Sequence, residues 1–144
     1  MESVEYGKDF SLKTKKGGFT VLYFYPRDST PGCTMEAKDF TANLSKFSKL
    51  KTRIVGVSKD SLASHEKFRE KQKLKIELVA DGEGVLCKKF DVIQMKSLYG
   101  KKFLGIERST FILDGNGKIV HEWRKVKVPG HVDEVLATLK DLQK

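Results

Sequence analysis

A cysteine stands where an apolar strand gives way to a helix. The run Tyr23-Phe24-Tyr25-Pro26-Arg27-Asp28-Ser29-Thr30-Pro31-Gly32-Cys33-Thr34-Met35-Glu36 reads as a strand, a tight Pro/Gly loop and a helix opening at or beside Cys33. A helix N-terminus gathers unpaired N–H groups and the positive end of the macrodipole. Both favour a thiolate, and the thiolate is the nucleophile. Such a cysteine also draws on a cation or base. Arg108 is the candidate cation, because it opens an otherwise buried strand, Arg108-Ser109-Thr110-Phe111-Ile112-Leu113. Thr30 places a hydroxyl in the loop, where its local reading is a turn residue or helix cap. Pro31-Gly32 sharpens the approach and lets backbone come close. The other thiol, Cys87, sits in Val85-Leu86-Cys87-Lys88-Lys89-Phe90, which reads first as a packing position on a short helix.

The elements that must position Cys33 follow from periodicity. Phe19 to Tyr25 is almost wholly apolar and aromatic, as expected of a central strand buried on both faces, and Pro26 ends it. Thr34 to Lys49 is expected to be one helix, with Ala37, Phe40, Leu44 and Phe47 forming its apolar stripe. Ile54 to Ser58 is a second buried strand, Asp60 or Ser61 caps a helix running to about Lys73, and Ile76 to Val79 is a short strand. Glu83 to Phe90 reads as a short helix, and Ile93 to Leu104 as an irregular crossing segment. Glu107 to Leu113 and Lys118 to Trp123 flank Asp114-Gly115-Asn116-Gly117, a hairpin signal. Val132, Val135, Leu136 and Leu139 mark a closing amphipathic helix. Near the front, Phe10 and Leu12 suggest a short strand and Thr14 to Gly18 a turn. The expected fold class is α/β, a mixed sheet covered by helices.

With 144 residues, 39% of them hydrophobic and 33% charged, the expectation is a single domain over residues 1–144. No apolar run approaches a membrane span, and Met1 to Phe10 lacks a secretion-signal pattern, so a cytoplasmic protein is expected. Two cysteines are too few for a disulfide scaffold. The net charge of +9 comes from lysines spread along the chain, with no RNA-binding signature, so no nucleic-acid partner is expected. Three scattered histidines and two distant cysteines supply no metal site, and no cofactor motif is present.

Pro26-x-x-x-Thr30-x-x-Cys33 resembles the peroxiredoxin active-site signature. The longer string from Tyr23 to Thr34 resembles the Q-type subfamily, also called bacterioferritin comigratory protein. So do Val55-Gly56-Val57-Ser58, Ser64-His65-x-Lys67-Phe68, Tyr99-Gly100-Lys101, Gly105-Ile106-x-Arg108-Ser109-Thr110-Phe111 and Trp123 to Val132. The resemblance implies a thioredoxin-like fold and a thiol peroxidase. Cys33 would attack the O–O bond of hydrogen peroxide or an organic hydroperoxide and become a sulfenic acid. Thr30 would hydrogen-bond the peroxide, Arg108 would hold its oxygens, Pro26 would shield the site and Glu36 would orient Arg108. Thioredoxin or another thiol would be the reductant, and the protein a monomer or homodimer.

Two features depart from that subfamily. Many members carry a resolving cysteine five residues after the peroxidatic one, where this chain has Lys38. Cys87 is the remaining candidate resolving thiol, and a disulfide needs Cα atoms within about 7 Å. The favoured expectation is a one-cysteine cycle with an external thiol. The front hairpin is also short, with only Lys13 to Gly18 before the first core strand. Two other classes stand beside the peroxidase: a cysteine hydrolase pairing Cys33 with His65, His121 or His131, and a non-enzymatic thioredoxin-like binding module.

Overall fold

A computed structural model describes residues 3–6, 11–14 and 17–143. The strands are β1 (Ser3–Glu5), β2 (Phe19–Phe24), β3 (Thr52–Ser58), β4 (Glu77–Ala80), β5 (Ile93–Leu98), β6 (Lys101–Ile106), β7 (Ser109–Leu113) and β8 (Ile119–Trp123). The helices are α1 (Pro31–Ala42), α2 (Leu44–Lys49), α3 (Leu62–Gln72), α4 (Val85–Lys89) and α5 (His131–Leu142). Six strands form a mixed sheet in the order β1-β4-β3-β2-β7-β8, parallel from β1 to β2 and antiparallel from β2 to β8. This is the mixed α/β architecture expected of the sequence.

Strand alternation divides the apolar residues between two faces. Val21, Tyr23 and Tyr25 of the β2 run join Cys33, Ala37 and Phe40 of α1, Phe47 of α2, Phe68 of α3 and Val135 and Leu139 of α5. Leu22 and Phe24 join Val55, Val57, Phe111 and the α4 residues Leu86 and Cys87 on the other face. β2 therefore has a packed layer on each side, which accounts for its unbroken apolar sequence.

Three sequence expectations are corrected. The helix expected over Thr34 to Lys49 breaks at Asn43, whose Nδ2 donates to the Asp39 carbonyl at 2.8 Å and competes with the helical ladder. Ile93 to Leu104 is not irregular but lies within the β5–β6 hairpin, turned by Tyr99 and Gly100, both at positive φ. A two-residue turn of that kind matches the twist of paired strands. Its period is hard to read because the hairpin stands apart from the main sheet, with Met95, Phe103 and Leu104 exposed. At the front, Leu12 lies outside any strand, and the edge strand is β1, paired with β4. Phe10 lies outside the described residues, as do Lys15 and Lys16 of the expected turn.

Candidate active site

Register assembles the site. Phe24 of β2 lies opposite Ser109 of β7 in antiparallel pairing, so the loop leaving β2 and the residue preceding β7 meet at one end of the sheet. That loop ends at Thr30, the N-cap of α1, and Pro31 is the first helical residue, where a missing N–H costs nothing. Cys33 follows in the first turn, among N–H groups without intrahelical partners. It is 1% exposed.

Arg108 spans the site from β7's start. Its Nη2 donates to Cys33 Sγ at 3.3 Å and its Nη1 donates to Glu36 Oε1 at 2.6 Å. Cys33 and Glu36 are three apart on α1 and share one face, which lets a single guanidinium reach both. Gly32 leaves the guanidinium room, since a Cβ there would lie 3.2 Å from Arg108 Nη2. Burial works against the charge on Arg108, but Glu36 and Cys33 outweigh it and hold the guanidinium charged. Burial also pushes the Glu36 carboxyl from the ordinary 4.5 up to about 7, with Arg108 offsetting only part of that cost. Its second oxygen, Oε2, is buried with no hydrogen-bond partner among the described residues.

Tyr23 forms the floor. Its ring stacks on Phe40 at 4.8 Å, and a Cβ at Gly56 would lie 2.7 Å from its Cζ, so only glycine fits beneath it. Burial, reinforced by Glu36 and Cys33, keeps its phenol protonated. Lys96 of β5 faces the same charges: burial and the nearby Arg108 lower its pKa.

The structure thus brings Cys33, Arg108 and Glu36 into one bonded cluster. Thr30 lies three residues before Cys33, and its hydroxyl donates to the Arg27 carbonyl at 3.0 Å rather than capping α1. Pro26 is exposed on the same loop. Cys87 is separate, buried on the opposite face of the sheet, with its backbone N–H donating to Asp81 Oδ2 at 2.9 Å. Burial and then Asp81 push its thiol well above the ordinary range. The sheet stands between the two sulfurs.

Sequence reasoning missed Tyr23 as the floor, Lys96, and the partners of two histidines. The signal for Tyr23 was Gly56, a glycine inside a buried strand. His131 bonds Thr110 Oγ1 at 2.8 Å, and burial, with Arg108 adding to it, lowers its pKa to about 4 against the opposing pull of Glu134. His65 bonds Asp28 and the Val79 carbonyl, while His121 is exposed against Trp123. Among the described residues no histidine bonds the Cys33 sulfur, which is the pairing a cysteine hydrolase would need.

The profile of the AhpC/TSA family matches residues 2–122. Peroxiredoxin Bcp of Xanthomonas campestris is 53% identical over 138 residues, covering 96% of this chain and 86% of the relative. Peroxiredoxin Bcp of Bacillus subtilis is 49% identical over 138 residues, covering 96% and 88%. A solved structure of the Xanthomonas campestris bacterioferritin comigratory protein, described for alkyl peroxide reduction, superposes with a TM-score of 0.85 at 54% identity, over 90% of this chain and 82% of that one. The chain belongs to the AhpC/TSA family and is a peroxiredoxin, a thiol peroxidase with a thioredoxin-like fold. That family works on a peroxide and a thiol reductant. Among the described residues no helix is long and apolar enough to cross a membrane.

Proposed function

We propose that Cys33 is the peroxidatic residue and that this chain runs a one-cysteine cycle within a single domain of residues 1–144. The Cys33 thiolate attacks one oxygen of hydrogen peroxide or an organic hydroperoxide, an S–O bond forms as the O–O bond breaks, and water or an alcohol leaves after taking a proton. The sulfur is oxidised to sulfenic acid and the peroxide is reduced. Two equivalents of an external thiol, such as the two thiols of thioredoxin, then restore Cys33 and release water and a disulfide.

The observation that carries this reading is the pair of bonds from Arg108, to Cys33 Sγ and to Glu36. A fixed cation at the sulfur meets the charge that spreads onto the peroxide oxygens. Glu36 holds the guanidinium, the Thr30 hydroxyl turns from the Arg27 carbonyl to donate to a bound peroxide, and Pro26 limits water at the loop. Lys38 at the local resolving position and Cys87 beneath the opposite face favour an external reductant. No metal or cofactor enters the cycle. The protein works in the cytoplasm as a monomer or homodimer, with no nucleic-acid or membrane partner. Rapid-mixing kinetics with hydrogen peroxide test the assignment: Cys33→Ser is expected to abolish the reaction, and full activity in that variant would overturn it.

A further inference from the structure

Asp28 and His65 form a buried group that the peroxide chemistry does not use. Asp28 lies in the loop between β2 and α1, two residues before Thr30, and is 7% exposed; His65, on α3, is fully buried. The Asp28 carboxylate accepts from Tyr25 Oη at 2.6 Å on Oδ1 and from Ser64 Oγ at 2.8 Å on Oδ2, and Oδ2 pairs with His65 Nδ1 at 2.6 Å. Its backbone N–H donates to Asp60 Oδ2 at 2.7 Å, an oxygen that also accepts from Ser58 Oγ. His65 Nε2 meets the Val79 carbonyl at 3.0 Å. A carbonyl only accepts, so Nε2 carries a hydrogen. Nδ1 lies against Asp28 Oδ2, so both ring nitrogens are held and the ring orientation is fixed. Burial pushes the Asp28 carboxyl up, but His65, Tyr25 and Ser64 outweigh it and keep it ionised.

One atom each of Asp28, Asp60 and His65 lie within 4.8 Å of one another, a spacing a metal ion could bridge. Both Asp28 oxygens and both His65 nitrogens are already bonded within the protein, so the group is a closed network. What it holds is the loop. Ser29, the next residue, has φ of 64°, a left-handed conformation that a non-glycine residue keeps only when its surroundings fix it. The same loop ends at the N-cap of α1 and bears the Thr30 hydroxyl, three residues from a sulfur that is 1% exposed.

We infer that the buried, hydrogen-bonded Asp28–His65 pair is a positioning device for the active site: it clamps the loop to the start of α3, and so fixes Thr30, the first turn of α1 and access to Cys33. The inference rests on the peroxidase reading for its kinetic consequence but not for the clamp itself. Asp28→Asn keeps the shape and removes the charge. Its expected effects are a tenfold or greater loss in the rate of Cys33 oxidation by hydrogen peroxide, faster alkylation of Cys33 by iodoacetamide, and faster amide exchange over residues 26–34 with β2 and β3 unchanged. In nitrogen NMR spectra the His65 ring signals should shift between wild type and Asp28→Asn, while those of His131 stay unchanged. Tyr25→Phe, which removes only a hydroxyl from the group, is the second variant should Asp28→Asn not fold, and is expected to produce smaller shifts in the same directions. A folded variant with wild-type exchange and alkylation over this loop, or with wild-type His65 ring signals, would overturn the inference. If wild type did not react with peroxide while exchange and alkylation responded as stated, the peroxidase reading would fail and the clamp would stand.

Discussion

Cys33 and Cys87 are both buried thiols, but their surroundings differ in each feature that governs reactivity. Cys33 lies in the first turn of a twelve-residue helix with a guanidinium on its sulfur. Cys87 sits in the middle of the five-residue α4, among Leu86, Phe90, Val55 and Val57, with the Asp81 carboxylate beside it outweighing the opposing pull of Lys59. The comparison teaches that burial alone does not make a cysteine inert or active. The sign of the neighbouring charge and the direction of the nearest helix end decide it.

The sharpest way to break the comparison is to remove each sulfur in turn. Cys33→Ser should eliminate peroxide consumption, measured by rapid mixing. Arg108→Ala makes the Cys33 site resemble the Cys87 site by deleting the cation, and should slow oxidation about 10²- to 10³-fold, the usual cost of losing one directed donor. Arg108→Lys should recover little, because an ammonium cannot bridge Cys33 and Glu36 as a fork.

Glu36→Gln should lower the rate about tenfold, within the range that a buried charge-assisted bond supports, and should alter the stability profile. Glu36 holds its proton more tightly folded than unfolded, so its ionisation costs stability as pH rises from 4.5 to about 7. Denaturant midpoints across that window should fall less steeply with pH in the Gln variant. His131 works in the opposite sense: its pKa falls from 6.5 to about 4 on folding, so it costs stability as pH drops through that interval. His131→Asn should lessen the acid-side loss. Cys87→Ser should leave turnover with a small dithiol unchanged while destabilising the fold by about 1–3 kcal/mol, the cost of a hydroxyl in an apolar layer.

The Cys33 site was legible because its first part is local: strand, proline, glycine and helix follow within fourteen residues. Arg108 could be singled out because an arginine at the head of an apolar strand needs a reason, and the Phe24–Ser109 register supplies it. The Asp28–His65 pair was not legible as a contact, because it joins the β2–α1 loop to α3 only after β2 and β3 align in parallel. The break at Asn43 depends on which carbonyl one side-chain amide reaches, a choice that periodicity does not encode. The β5–β6 hairpin escaped because a sheet without a fully buried face has no strict alternation to read, even though Tyr99-Gly100 marks its turn.

The central claim is that one sulfur does the chemistry and the other takes no part. Mass spectrometry after one equivalent of hydrogen peroxide, with a sulfenic-acid trap present, tests it most directly. The expected product carries the trap on Cys33 with Cys87 as a free thiol; a Cys33–Cys87 disulfide, or oxidation at Cys87 with Cys33 intact, would contradict it.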